Sequence, residues 1–218
     1  MHVDRPEAAS RTSLLILAGG RATRLGGVCK ALLEVGGRPI LVRQLESLRP
    51  LASECLALVQ AADLPALDGL RQVIDPRPHA GPVPALAHGL RRASGDICMV
   101  IAGDMPFLSR AAFQYLLDVR AAEGASVAVP FVGGYIESMH AVVARRETLH
   151  ALDAAQAAGE QRIFRVLQAL NPRLVTADEL RSVDPELHTL FNVNSPEDLA
   201  LAERIAAQEM ATNRARSE

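Results

Sequence analysis

A chain of 218 residues that is 49% hydrophobic can close a sizeable core without disulfide or metal staples. A formal net charge of -2 and an aromatic content of 3%, with no Trp, leave neither a basic face for duplex nucleic acid nor stacking platforms for single strands. Cys29, Cys55 and Cys98 are odd in number and lack C-x-x-C spacing, which argues against a disulfide framework or a thiolate zinc site and fits a reducing compartment.

The start, "MHVDRPEAASRTS", is polar and has no apolar leader, and no run approaches the ~20 apolar residues of a membrane span. The expectation is a cytoplasmic protein with no nucleic-acid and no membrane partner. Residues 1–12 read as a disordered extension, 13–208 as a single domain, and 209–218 as a polar tail that frays.

Short apolar runs then alternate with helical patterns. "SLLILAG", "CLALVQ", "RQVID" and "DICMVIAGD" read as strands, and several are apolar on consecutive positions, as parallel strands covered on both faces are. "ILVRQLESLR" places Ile40, Leu41, Leu45 and Leu48 on one helical face. "PVPALAHGLRRAS" opens with prolines that suit a helix start, and the helix after Asp104 opens at Ser109 and ends at Gly124. The β-α-β-α order implies an α/β fold with right-handed crossovers and an open parallel sheet between helices.

In the second half, "SVAVPFVGG" and "YIESMHAVVA" read as a strand pair joined at Gly133-Gly134, followed by helices in "ETLHALDAAQAAG" and "EQRIFRVLQAL". In "FNVNSPEDL", Ser195 is an N-cap, Pro196 the first helical residue and Asp198 part of an acidic first turn. Ligands of open α/β sheets bind beyond the carboxyl ends of the strands, where Gly19, Gly20, Asp75 and Asp104 all fall.

The chemistry concentrates in "LAGGRATRLGGVCKALL". Backbone N–H groups approach phosphate oxygens closely where no Cβ intervenes, and a helix start nearby would add partial positive charge. Arg24 can hold two oxygens at once and Lys30 supplies a mobile point charge. The spacing is neither a Walker A loop nor G-x-G-x-x-G. The alternative for Gly19-Gly20 alone is a tight turn with surface charges.

Asp104 can offer a hard oxygen to Mg²⁺, or simply start a turn before a helix. Asp75 precedes a proline, so alone it reads as a turn residue. Gly81 would let backbone approach a planar ring, or serve as a turn before Pro82. Asn192 and Asn194 have period-two spacing and would point to one side of an extended segment, or merely lead into the capped helix. Cys29, beside Lys30, lacks an evident base or resolving cysteine. The six histidines show no metal-ligand spacing, and no G-x-S-x-G appears.

Taken together and in order, these motifs resemble a known family. "LAGGRATRLGGVCKALL" resembles the L-A-G-G-x-x-x-R-x-G-x-x-K signature of nucleotidyltransferases, "HAGPVPAL" their G-P loop, "AGDMPFL" their metal-binding Asp motif, and "FNVNSPEDL" an N-x-N-[ST]-P-E-[DE]-L element. The set is similar to the molybdenum cofactor guanylyltransferases from about residue 13 to about residue 205.

The resemblance implies a Rossmann-like three-layer α/β/α nucleotidyltransferase that joins GTP to molybdenum-molybdopterin and releases pyrophosphate, with Mg²⁺ as cofactor. It implies that Leu17, Ala18 and Gly19 line guanine or ribose, that Gly20 sits by the phosphates, and that Arg24 and Lys30 bind the triphosphate. Asp75 would contact the nucleotide, Asp104 would hold the metal, and Asn192 and Asn194 would shape the pterin or metal side. Molybdenum cofactor insertion proteins and client molybdoenzymes are its candidate protein partners.

The sequence departs from the family at three places. Gln60 stands where Asn is usual, Cys29 where an acidic residue can precede the loop lysine, and "ESMHAVV" where Pro and Tyr are usual. Transfer of CMP, a different phosphorylated acceptor, and a noncatalytic nucleotide or molybdopterin carrier are the competing readings. Pyrophosphate release with each nucleotide separates them.

Overall fold

The computed structural model describes residues 11–19, 21–22, 28–61, 64–78 and 80–217. Gly20, Arg24 and most of the expected N-terminal extension lie outside the described residues.

Strand β1, Thr12–Leu17, is the sheet's axis. Its side chains alternate between two cores, as the two-residue repeat of a strand requires. Leu14 and Ile16 pack into one core, and Leu15 into the other.

After β1 come two short hairpins. The first is β2, Arg21–Ala22, with β3, Val28–Cys29; the second is β4, Glu34–Val35, with β5, Arg38–Pro39. A single 3-10 turn, Lys30–Leu32, separates them. Among the described residues, no α-helix starts between the glycine loop and the second hairpin. Helix α1, Ile40–Leu48, starts only after the second hairpin.

The chain continues through β6, Glu54–Val59, β7, Leu70–Ile74, helix α2, Pro82–Arg92, and β8, Ile97–Ala102. Helix α3, Arg110–Glu123, is capped as expected: Ser109 Oγ accepts from Ala112 N at 3.2 Å, and Gly124 closes it in the left-handed region. Then follow β9, Val127–Val132, β10, Tyr135–Ile136, β11, His140–Ala144, and helices α4, Arg145–Ala157, and α5, Ile163–Ala169. The last elements are β12, Arg173–Thr176, helix α6, Ala177–Arg181, and helix α7, Pro196–Ser217. Helix α7 runs through the segment expected to fray. No described helix is long and apolar enough to cross a membrane.

Apart from the two hairpins, the described strands form an eight-stranded sheet in the order β10-β9-β11-β8-β1-β6-β7, with β12 also pairing β9. Strands β8, β1, β6 and β7 are mutually parallel, and β11 runs antiparallel between β8 and β9. The segment "YIESMHAVVA" is two strands rather than one. Phe131 pairs with both Ile136 and Thr176, and Ala128 with both Val142 and Arg173. So β10 and β11 share one edge of β9, and β12 takes the other.

Helices α1, α3 and α6 cover one face of the sheet, and α2, α4 and α5 cover the opposite face. A third, small core packs Val35 and Ile40 against Phe107, Val193, Ala202 and Ile205, which seats α7 beside the second hairpin. The architecture is the expected three-layer α/β/α, with a mostly parallel sheet.

Candidate active site

The parallel strands β1, β6, β7 and β8 end at Leu17, Val59, Ile74 and Ala102, on one edge of the sheet. The segments that leave this edge carry most of the sequence-predicted site residues. They form a wide cavity and a narrow cleft.

The cavity, about 400 Å³, is lined by Leu17, Gly19, Leu58, Gln60, Asp75, Gly81 and Pro82, among others. That volume is in the range of small-molecule sites. Asp75 is buried; its N–H donates to Val59 O at 2.8 Å, and its Oδ1 accepts from Arg77 N at 2.9 Å. The carboxylate thus builds the turn that forms the cavity wall. Gly81 precedes α2 at φ 98°, ψ 174°, a conformation that a side chain strains, and α2 begins with Pro82.

The cleft is lined by Leu17, Ala18, Lys30, Ala31, Ala102, Gly103 and Asp104. Leu17 belongs to both spaces, so the cavity and the cleft adjoin. Lys30 Nζ donates to Asp104 Oδ2 at 2.8 Å and to Asn194 Oδ1 at 2.6 Å. Three residues from distant parts of the chain therefore meet at one ammonium. Both charged side chains are mostly covered, at 20% and 16% exposure, so the pair is screened less than a surface ion pair.

Each partner of Lys30 is fixed in turn. Val193, between the two asparagines, is buried in the third core, and its N–H donates to Asp104 O at 2.9 Å. Asp198 Oδ2 accepts from both Asn194 N and Ser195 N at 2.9 Å, while Asp198 N donates to Ser195 Oγ at 3.1 Å. This reciprocal cap starts α7 and sets Asn194 at the same time. The hydrogen bond from Asn194 N, reinforced by those from Ser195, holds the Asp198 carboxyl below its usual range and keeps it ionised.

The two asparagines separate in role. Asn192 Nδ2 donates to Leu190 O at 2.9 Å and so braces its own turn, whereas Asn194 reaches Lys30. Cys29 Sγ donates to Ala18 O at 3.3 Å, a tie between β3 and the end of β1.

Asp104 Oδ1 is buried and has no hydrogen-bond partner among the described residues. A hard, anionic oxygen left in that condition fits a divalent cation. Among the described residues there is no cluster of three or more His, Cys, Asp or Glu side chains that could hold a metal ion. A cation here would take most of its ligands from substrate oxygens and water, the usual habit of Mg²⁺.

Gly103 is a site residue that sequence reasoning missed. A Cβ there would lie 3.1 Å from both Ala18 Cα and Leu17 O, and its N–H donates to Leu17 O at 3.0 Å. The bare backbone lets the end of β8 lie against the turn after β1, which brings Asp104 to Lys30. Its sequence signal was the glycine immediately before the carboxylate in "AGD".

The family model described as "MobA-like NTP transferase domain" matches residues 14–174. A probable molybdenum cofactor guanylyltransferase of Methanosarcina acetivorans is 32% identical over 209 residues, covering 89% of this chain and 91% of that protein. A molybdenum cofactor guanylyltransferase of Pseudomonas putida is 34% identical over 198 residues, covering 89% and 98%.

Among solved structures, molybdopterin-guanine dinucleotide biosynthesis protein A from Archaeoglobus fulgidus superposes with a TM-score of 0.76 at 24% identity, covering 90% of this chain and 99% of that one. The 2-C-methyl-D-erythritol 4-phosphate cytidylyltransferase of Thermus thermophilus gives a TM-score of 0.69 at 25% identity, with the same coverage. The fold is that of these nucleotidyltransferases, and by sequence the chain belongs to the MobA-like NTP transferase family.

Proposed function

We propose that the chain transfers GMP from GTP to the terminal phosphate of molybdenum-molybdopterin, giving the guanine dinucleotide form of the cofactor and pyrophosphate. Its curated relatives are named as molybdenum cofactor guanylyltransferases. The observation that carries the reading is the meeting of Lys30, Asp104 and Asn194 beside a cavity of nucleotide size.

In this reading, guanine and ribose occupy the cavity walled by Leu17, Gly19, Gln60, Asp75 and Gly81, while Ala18, expected beside the base or ribose, lines the adjoining cleft with Lys30 and Asp104. The triphosphate runs past Leu17 toward Lys30. An oxygen of the acceptor phosphate attacks the α-phosphorus in line; the new P–O bond forms as the bond from the α-phosphorus to the bridging oxygen breaks, and pyrophosphate departs with that oxygen. A phosphate nucleophile is already ionised at neutral pH, so no general base is required. The work falls to positioning and to charge stabilisation.

Lys30 offsets charge on the departing pyrophosphate. Its ammonium has three donors, of which Asp104 and Asn194 engage two among the described residues. Arg24 and Gly20, from the same loop, are assigned to the phosphates by the family motif. Asp104 would hold Mg²⁺, which when bound supplies charge neutralisation across the phosphate oxygens. Asn194 keeps Lys30 aimed, and Asn192 stiffens the segment that carries it toward the acceptor.

The test is to incubate the chain with each of the four NTPs and Mg²⁺, with and without molybdopterin, and read pyrophosphate. Release with GTP alone among the NTPs, and only when the acceptor is present, is expected. Release with CTP instead would transfer the assignment to cytidylyl chemistry. Nucleotide binding without any release would make the chain a carrier.

A further inference from the structure

Helix α1 lies outside every motif that drew attention to the site, yet it carries a fully buried carboxamide. Gln44 has 0% exposure. Its Nε2 donates to Ala102 O at 2.8 Å and to Met105 O at 3.0 Å, so one amide group bridges the carbonyls on either side of Gly103-Asp104. The orientation of the amide is fixed by these acceptors, because the reverse orientation would press an oxygen against two carbonyl oxygens.

The arrangement leaves Gln44 Oε1 buried and without a hydrogen-bond partner among the described residues. A buried acceptor without a partner is unfavourable, and Leu or Met would fill the same space without it. What Gln44 gains in exchange is control of the turn that holds Asp104.

Its neighbours on the helix act on the same segment. Arg43 Nε donates to Pro106 O at 2.9 Å, and Ser47 Oγ to Leu108 O at 2.5 Å. Three side chains of α1 thus hold four carbonyls between residues 102 and 108. Only Gln44 brackets Asp104 itself.

We infer that Gln44 is a positioning residue for the Asp104 carboxylate, acting through the backbone of the turn rather than by contact with substrate. The inference rests on the reading of Asp104 as the cation-holding group. A carboxylate that must meet both a cation and Lys30 tolerates little displacement, since sites of this kind work within ~0.5 Å of the productive geometry. Releasing Ala102 O and Met105 O lets Asp104 shift while the fold persists.

The test compares wild type with Gln44→Met, which keeps the side-chain length and removes the donors, and with Ser47→Ala as a control on the same helix. Two readouts are taken: Mn²⁺ binding in the presence of GTP, followed by loss of the free-ion EPR signal, and steady-state pyrophosphate release against Mg²⁺ concentration. Gln44→Met is expected to weaken Mn²⁺ binding and raise the half-saturating Mg²⁺ concentration by roughly tenfold, with kcat lowered and the KM for GTP little changed. Ser47→Ala should leave the metal dependence near wild type.

If Gln44→Met does not fold, Gln44→Asn, which retains the amide one methylene short, is judged by the same criteria. Unchanged Mn²⁺ binding and Mg²⁺ dependence in a folded Gln44 variant, even one with a lowered Tm, would overturn the inference and leave Gln44 structural. A wild-type chain with neither Mn²⁺ binding nor Mg²⁺ dependence would overturn the cation reading of Asp104 itself, and the positioning role with it.

Discussion

Lys30 is bonded to two oxygens from segments 74 and 164 residues away, so removing its ammonium disconnects three parts of the site at once. If charge stabilisation is its task, Lys30→Ala and Asp104→Ala should each lower kcat by ~10²–10³, the usual loss for one such donor. Steady-state turnover with GTP and Mg²⁺ checks this, and unchanged rates in both variants would remove the pair from the reaction. His140 gives a test of a different kind. It is fully buried against Phe113, and burial pushes its pKa down to about 3, with Thr189 partly opposing. Between about 3 and its ordinary 6.5, the unfolded chain takes up a proton that the folded chain refuses. The neutral ring therefore contributes fully above 6.5, and stability falls as pH drops through that window. Glu160 and Glu179, held down to about 2 chiefly by Arg162 and Arg173, add their own loss below about 4.5, while Glu137, raised above 4.5 by burial, acts in the opposite direction, so the histidine is read as the difference between wild type and a variant over pH 4.5–6.5. Urea unfolding of His140→Phe across that range should show a flatter pH dependence than wild type. An equal slope would mean that His140 is not the group responsible. That Lys30, Asp104 and Asn194 belong to one candidate site was legible because each stands in a motif with a chemical reason, and the structure brings the three together. Gln44 was not, although it sits at i+4 from Ile40 on the apolar face of a helix, where an amide is out of place.

The elements divide along similar lines. Strands β1, β6 and β8 were evident from continuous apolar runs, and α2, α3 and α7 from proline starts and a Ser cap. The two short hairpins after β1 escaped notice because two-residue strands carry no periodicity. The break between β10 and β11 was hidden for another reason. "YIESMHAVVA" has strand character at both ends, and only pairing with β9 shows that residues between them leave the ladder. At this scale Gly81 is the sharpest test, since the sequence left it either as a ring-approach point or as a plain turn. Its positive φ makes Gly81→Ala costly by ~1–3 kcal/mol. An added Cβ would also come within 2.6 Å of Gln161 Oε1, a side-chain end that can move aside. Because Gly81 also lines the cavity, the substitution should raise the dissociation constant for GTP as well as lower Tm. Calorimetric titration of GTP into the variant separates the cases. A lowered Tm with unchanged affinity would make Gly81 a turn residue only.

Across the whole molecule, the order of strands decides which groups can meet. β1 lies between β6 and β8, so the segments leaving its end face the wide cavity on one side and the Asp104 cleft on the other. Leu17 stands at that boundary. With a net charge of -2, the chain offers no general attraction to a triphosphate, and binding must come from local donors. The C-terminal helix contributes from the far end of the chain by capping itself with Asp198 and so fixing Asn194. The most direct test is a crystal structure of the chain with GTP and Mg²⁺. The account predicts guanine between Gln60 and Gly81, the triphosphate against Lys30, and a cation on Asp104 Oδ1. A nucleotide bound elsewhere, or phosphates directed away from Lys30 and Asp104, would contradict it.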